Sequence, residues 1–221
     1  MIWAISRSAV TGAVCLLAAG CSVLAPLPDR SRYFILTSLP VAEIQRASAP
    51  GAETGTGLVI GLGPVTLPAY LDRYEVATRV SPTELSYSAT DRWAGPLAAN
   101  VADVLQNNLS ALLPSSRIVP YPWVSTTPLL YEVEVDLIQF ETDSDRNAFL
   151  VARWTVTETR TGRRKKLKET ALEQRAAPGD AFAATNGLSR TLGDLSRAIA
   201  DELEDAETTR RDGVRPTKTG E

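Results

Sequence analysis

The stretch LYEVEVDLIQF, Leu130 to Phe140, sets Tyr131, Val133, Val135 and Leu137 against Glu132, Glu134 and Asp136. Apolar and acidic residues alternate with the two-residue period of a strand, which predicts one face on a core and the other in water. Phe149 to Thr159 and Lys166 to Arg175 follow after short connections, the second built on the turn Thr161-Gly162, so these three segments are expected as antiparallel neighbours in a meander. Upstream, Pro96 to Leu113 places Leu97, Val101, Val104, Leu105, Leu109 and Leu112 at spacings of three and four, the signature of one helix face. Downstream, Leu188, Leu192, Leu195, Ile199 and Leu203 repeat that pattern between about Asp180 and Glu204, with Asp180 placed to cap the start.

Further strands are expected at Arg32 to Leu39 and at Leu58 to Ile60, with Val65 to Tyr70 continuing extended. Glu75 to Val80 and Glu84 to Ser88 flank Ser81-Pro82-Thr83, which reads as a hairpin turn, and Ile118 to Tyr121 begins another short extended piece. Strands combined with long amphipathic helices predict an α/β fold: a single domain over residues 32–204, a mixed β-sheet with an antiparallel meander, and two main helices packed on it. Residues 205–221 carry no apolar periodicity and are expected to form a disordered polar tail.

Composition narrows the chemistry. The 221 residues are 44% hydrophobic and 22% charged, as in an ordinary globular chain. A net charge of -3 gives no reason to expect nucleic acid, which calls for clustered Lys and Arg. Histidine is absent, which removes Ser-His-Asp triads, Cys-His pairs and His-based zinc sites. The two cysteines, Cys15 and Cys21, both fall in the leader region, so the domain has no thiol for a disulfide, a nucleophile or a metal. No catalytic residue, metal ligand or cofactor site is assigned.

The leader carries one cation, Arg7, before the apolar run Ala9 to Ala19. That is the pattern of a secretory signal over residues 1–20; a membrane-spanning helix needs about 20 consecutive apolar residues. Leu17-Ala18-Ala19-Gly20-Cys21 resembles the bacterial lipobox, with Ala18 where the family prefers Leu. The resemblance implies a diacylglycerol thioether and an N-acyl chain on Cys21, each buried CH2 contributing ~0.8 kcal/mol to membrane attachment. Residues 21–31, with Pro26 and Pro28, read as a lipidated tether. Ser22 differs from the Asp that resembles an inner-membrane retention signal, which favours the periplasmic face of the outer membrane.

Several strings together resemble one family. RYFILTSL (Arg32 to Leu39), IGLGPVTLPAYLDR (Ile60 to Arg73), DRWAGPL (Asp91 to Leu97), YPW (Tyr121 to Trp123) and GLSRTLGDLSRAIADEL (Gly187 to Leu203) are similar, in order and spacing, to the PqiC-type lipoproteins, or ABC-type transport auxiliary lipoprotein components. The resemblance implies a three-layer α/β domain and a non-enzymatic partner of an MCE-type system, whose MCE-domain proteins carry phospholipid or other hydrophobic molecules between membranes. Docking of the transporter at the outer membrane is the implied role, with an MCE-domain protein and membrane lipid as partners. Self-association into a homo-oligomeric ring would suit a cap on a symmetric channel. A structural or assembly lipoprotein of another envelope or secretion complex is the rival reading.

Two segments qualify as a partner interface. Leu67, Pro68, Tyr70, Leu71, Asp72 and Arg73 form a proline-stiffened loop between strands, which either presents a docking surface or only shapes the core. Arg92 and Trp93 precede the first helix; they are interface residue types, or else Trp93 packs in the core while Arg92 pairs with a carboxylate. Tyr121-Pro122-Trp123 is either a groove lining or a buried aromatic corner. Glu132, Glu134 and Asp136 read as a solvated strand face, and the cationic run Arg160 to Lys168 as a solvated turn or a contact for anionic lipid. Gly61 and Gly63 make no phosphate loop, since Pro64 follows and no helix opens there.

Overall fold

A computed structural model of the chain describes residues 28–40, 57–124, 126–164, 167–175 and 181–214. The chain divides into Met1–Ser31 and Arg32–Glu221, and the described strands and helices belong to the second unit. The expected signal, Cys21 and residues 22–27 of the expected tether lie outside the described residues.

Among the described residues, nine strands form one mixed sheet: β1 (Arg32–Phe34), β2 (Val59–Thr66), β3 (Glu75–Ser81), β4 (Glu84–Trp93), β5 (Arg117–Pro120), β6 (Tyr131–Asp143), β7 (Ala148–Glu158), β8 (Arg163–Arg164) and β9 (Lys168–Gln174). The acidic-apolar stretch is β6, the longest strand, and with β7 and β9 it makes the expected antiparallel meander. Its second edge is divided. β2 lies parallel to its first half, Ile60 opposite Tyr131 and Thr66 opposite Asp136, while β3 takes over parallel at Thr142 and Asp143. Between those pairings the chain leaves β2 and re-enters at β3, so the loop after Thr66 fills the gap along Leu137 to Glu141. The expected hairpin forms between β3 and β4, which runs on to Trp93 and there receives β1 in parallel.

Two helices cover the sheet, α1 (Leu97–Leu112) and α2 (Ala181–Val214). Residues opposite one another in register share a face. Ile60, Leu62 and Ile118 therefore lie on the side of Tyr131 and Val133, whose partner α2 is reached by the Tyr131 hydroxyl at Glu207 (3.3 Å). These residues join Val101, Leu105 and Leu109 of α1 and Leu192, Leu195 and Ile199 of α2 in one core. Both helices thus sit on the same face, giving two layers where the resemblance implied three.

The first strand is shorter than expected, ending at Phe34. From there the chain enters the groove between the helices, and side chains bind its amides: Leu36 N–H donates to Asn100 Oδ1 (2.7 Å), Thr37 N–H to Ser189 Oγ (3.1 Å) and Leu39 N–H to Asn108 Oδ1 (2.8 Å). Buried Asn108 also donates to Ser196 Oγ (3.0 Å), tying α1 to α2 beneath the segment. Gly193 lets the chain this close, because a Cβ there would stand 2.5 Å from Leu39 Cδ2. An unmet buried amide costs ~1–3 kcal/mol, so these side chains substitute for a missing neighbour strand.

The second helix runs ten residues past Glu204, so residues 205–214 of the expected tail are helical. Its inner face turns polar at that point, which hides the continuation from an apolar periodicity. Ala206 is buried, and buried Glu207 accepts from Arg210 Nε and NH2 (both 2.7 Å) and from Arg211 Nε (2.8 Å), the three- and four-residue spacings that support a helix. The Arg210 hydrogen bonds, opposed by burial and joined by Arg211, hold the Glu207 carboxyl at about 2 against 4.5 when unperturbed. Burial first, then the Glu207 charge, pushes the Tyr131 hydroxyl up to about 12. Because the folded value is the lower one, Glu207 contributes its stabilisation in full above 4.5 and loses it as the pH falls towards 2. The unfolding free energy of the parent should exceed that of Glu207→Gln by about 2–3 kcal/mol near neutrality, the gap closing over that acid range in denaturant titrations. A gap that stays constant down to the acid end would contradict this pairing.

Candidate functional site

The loop from Leu67 to Arg73 plugs the divided edge of β6. Pro68 starts it in an extended conformation, and Ala69–Leu71 then winds into a single 3-10 turn, Leu71 N–H donating to Pro68 O at 2.9 Å. Leu71 points into the core with 3% of its surface exposed, while Leu67 and Tyr70 are half-buried against that core.

A buried carboxylate fastens the plug. Glu141 Oε1 accepts from Arg79 Nε (2.6 Å), and Oε2 accepts from the Tyr70 hydroxyl (3.0 Å) and from Phe140 N–H (3.0 Å). A buried carboxylate is tolerated only when paired and hydrogen-bonded, and this one has both. Burial, then the Glu141 charge, raises the Tyr70 hydroxyl to about 12, so it remains a donor at any physiological pH. The Tyr87 hydroxyl donates to Tyr70 O (3.2 Å), and the Arg73 guanidinium lies 3.8 Å from the centre of the Tyr87 ring.

The two segments singled out in the sequence meet here at one carboxylate. Glu75 accepts from Arg73 Nε at Oε2 (3.0 Å) and from Arg92 NH1 at Oε1 (3.3 Å). Arg92 is opposite Glu75 on one side and opposite Tyr33 on the other, so a row Tyr33-Arg92-Glu75 crosses three strands, with Arg73 at its end. One step along, and by strand alternation on the other face of the sheet, Arg32 pairs with Asp91 (2.8 Å). Tyr33 is 64% exposed, and Ile35, Asp72 and Tyr74 are exposed as well.

Two of the sequence candidates therefore belong elsewhere. Leu71 and Trp93 are core residues, and Trp93 is held further by its N–H on Tyr74 O (2.6 Å), so neither side chain offers a docking surface. Arg92 does pair with a carboxylate, as the rival reading had it, yet keeps about a third of its side chain in solvent. Pro68 and Tyr70 support the loop, and Asp72 and Arg73 form its exposed rim. Tyr33 and Glu75 were missed. The signal for Tyr33 was the alternation of Tyr33 and Ile35 with Phe34 and Leu36; nothing local marked Glu75, whose role depends on arginines brought from both sides.

The other motifs fall away from this surface. Tyr121 and Trp123 meet edge to face at 5.2 Å, with Tyr121 packed on Gly63, whose φ of 123° and lack of a side chain the contact requires. Glu132, Glu134 and Asp136 lie on the sheet face away from the helices, where Asp136 accepts from Thr66 (2.5 Å) and Glu134 from Thr155 (3.3 Å). The cationic hairpin around β8 pairs with the end of β7 beside Tyr131, whereas Arg32 enters near the other end of β6; Lys165 and Lys166 lie outside the described residues. From Tyr131 to Asp143, at ~3.3 Å per strand residue, the two ends are roughly 40 Å apart.

Glu141→Gln should lower the unfolding free energy in urea by about 2–3 kcal/mol, because it leaves the Arg79 charge without its partner, and should open the Ala69–Leu71 turn to proteolysis. Replacing Arg79 and Glu141 together by Met and Leu should recover most of that loss. A Glu141→Gln protein as stable and protease-resistant as the parent would show that the plug is held by other contacts.

The family model described as ABC-type transport auxiliary lipoprotein component matches residues 38–200. That description names a transport component, not an enzyme. No curated protein sequence matches the chain. Among solved structures, protein XCC0632 from Xanthomonas campestris superposes with a TM-score of 0.66 at 12% identity, covering 82% of this chain and 99% of that one. A crystal structure of an uncharacterised protein superposes with a TM-score of 0.64 at 18% identity, covering 78% of this chain and 98% of the other. At those identities the structures attest the fold, and the family match extends over most of the chain. The chain belongs to the ABC-type transport auxiliary lipoprotein component family.

Proposed function

We propose that this chain is a lipid-anchored subunit of an MCE-type intermembrane lipid transport system, held through Cys21 on the periplasmic face of the outer membrane, where its domain docks the transporter. The reading rests on the family, on the lipobox-like Leu17 to Cys21 with Ser22 behind it, and on one geometric observation. That observation is the surface Tyr33-Arg92-Glu75-Arg73, whose backbone is fixed from behind by the plug on Glu141. Arg and Tyr are the residue types that dominate interface energetics, and a pre-ordered surface loses little entropy on binding. Glu75 holds the arginines in place without neutralising both.

The surface also lies where the domain begins. β1 supplies Tyr33, one residue after Arg32, where the second unit of the chain begins. No chemical step is assigned to the domain; its contribution is attachment and positioning. A homo-oligomeric ring around the transporter's end fits the same role.

The test is a mild-detergent pull-down of the full-length tagged protein from membranes of its own cells, with mass spectrometry of the partners. An MCE-domain protein should be recovered, and Arg73→Glu combined with Arg92→Glu should reduce its recovery at least about tenfold, as expected for two hot-spot arginines. Arg153→Glu, on a distant exposed pair with Glu169, should leave recovery unchanged. Recovery of secretion or cell-wall components alone, or an undiminished MCE-domain signal in the double variant, would overturn the proposal.

A further inference from the structure

A groove of about 350 Å³, more apolar than polar in its exposed lining, lies between Thr37–Pro40 and the exposed flank of α2. Its floor comes from α2, where Asn186, Arg190, Asp194 and Arg197 recur at spacings of three and four and so share one helix face. Gln174, at the end of β9, closes one side. Its opposite wall offers the hydroxyls of Thr37 and Ser38 and then the apolar Leu39 and Pro40.

The polar part of the lining is rich in donors, and the lining carries a net positive charge. Two guanidiniums, Arg190 and Arg197, face a single carboxylate, Asp194. Both oxygens of that carboxylate are already occupied, Oδ1 by Arg197 NH1 (2.7 Å) and Oδ2 by Gln174 Nε2 (2.8 Å). Asp194 therefore orients the Arg197 guanidinium and offsets its charge, so the excess positive charge of the groove is that of Arg190. Arg190 is exposed and makes no ion pair among the described residues. A planar guanidinium matches the oxygens of a phosphate group in a bidentate geometry, and hydroxyl and amide donors complete such a cradle. One wall is fixed in place: Ser189, beside Arg190, accepts from Thr37 N–H and donates to Thr185 O (3.0 Å), so the wall and the helix are pinned to each other.

We propose that this groove binds a phosphate monoester or diester, with the phosphate on Arg190 and Arg197 and a short apolar stem against Leu39 and Pro40. The site is independent of the docking surface and of the identity of the transporter. It adjoins the segment that follows the tether, so an occupant would brace that segment against α2. The phosphate belongs either to a lipid headgroup or to a small soluble phosphate compound, and the two sources are separable by experiment.

Full-length lipidated protein in uncharged detergent micelles is titrated calorimetrically, at low ionic strength, with inorganic phosphate, glycerol 3-phosphate and dihexanoyl phosphatidylglycerol. Binding of at least one phosphate ester should appear and weaken about tenfold or more in Arg190→Gln, a surface change that spares the core, while Arg153→Gln keeps it. Phosphatidylglycerol binding about tenfold tighter than glycerol 3-phosphate would assign a lipid headgroup; equal binding of the two would assign a soluble phosphate compound. No binding of any of the three probes, or binding unchanged in Arg190→Gln, would overturn the site.

Discussion

Strand β6 is hydrogen-bonded along both edges, and no single strand covers the second one. Most of the rest depends on how that edge is shared. β2 and β3 run parallel to β6 one after the other, so the chain between them cannot make a wide crossover and must lie in the gap they leave. A gap beside Leu137 to Glu141 exposes backbone and a carboxylate, and both need partners. Tyr70 and Arg79 supply them at Glu141. The loop from Leu67 to Arg73 is thereby rigid for a structural reason, and its outer rim is presented in a fixed position as a consequence.

The groove between the helices solves a similar problem at the other layer. An extended segment without a neighbour strand would bury unmet amides, yet Asn100, Asn108 and Ser189 meet three of them from two helices. The segment from Arg32 to Leu39 is therefore shared between layers, first as an edge strand beside β4 and then as a strip in the helical groove. Tension applied at Arg32 would be borne by the β1 pairing and this clamp together. The row at Tyr33 and the groove at Thr37–Pro40 adjoin the two ends of the same short segment.

Elements with a clean period were legible in the sequence. The meander showed in the alternation from Tyr131 to Leu137, both helices in their leucine spacing, and the β3–β4 hairpin in Ser81-Pro82-Thr83. What escaped was set by pairs distant in sequence. The continuation of α2 past Glu204 depends on Glu207 meeting Tyr131 and two arginines, a polar inner face that apolar periodicity cannot report. The early end of β1 depends on helix side chains from 64 to 152 residues away. At the site, Arg73 and Arg92 were legible as residue types, but Glu75 as their meeting point and the burial of Leu71 and Trp93 became visible only once the strands were in register.

The domain thus presents a fixed surface, and the proposed function is attributed to that surface. The most direct measurement is photo-crosslinking in the native cells from a reactive residue placed at position 33 or 92, compared with one placed at position 169 on the far strand β9. Crosslinks from positions 33 and 92, but not 169, to an MCE-domain protein are the predicted result. Crosslinks to that protein from position 169 alone, or none from positions 33 and 92 in a fully folded variant, would contradict it.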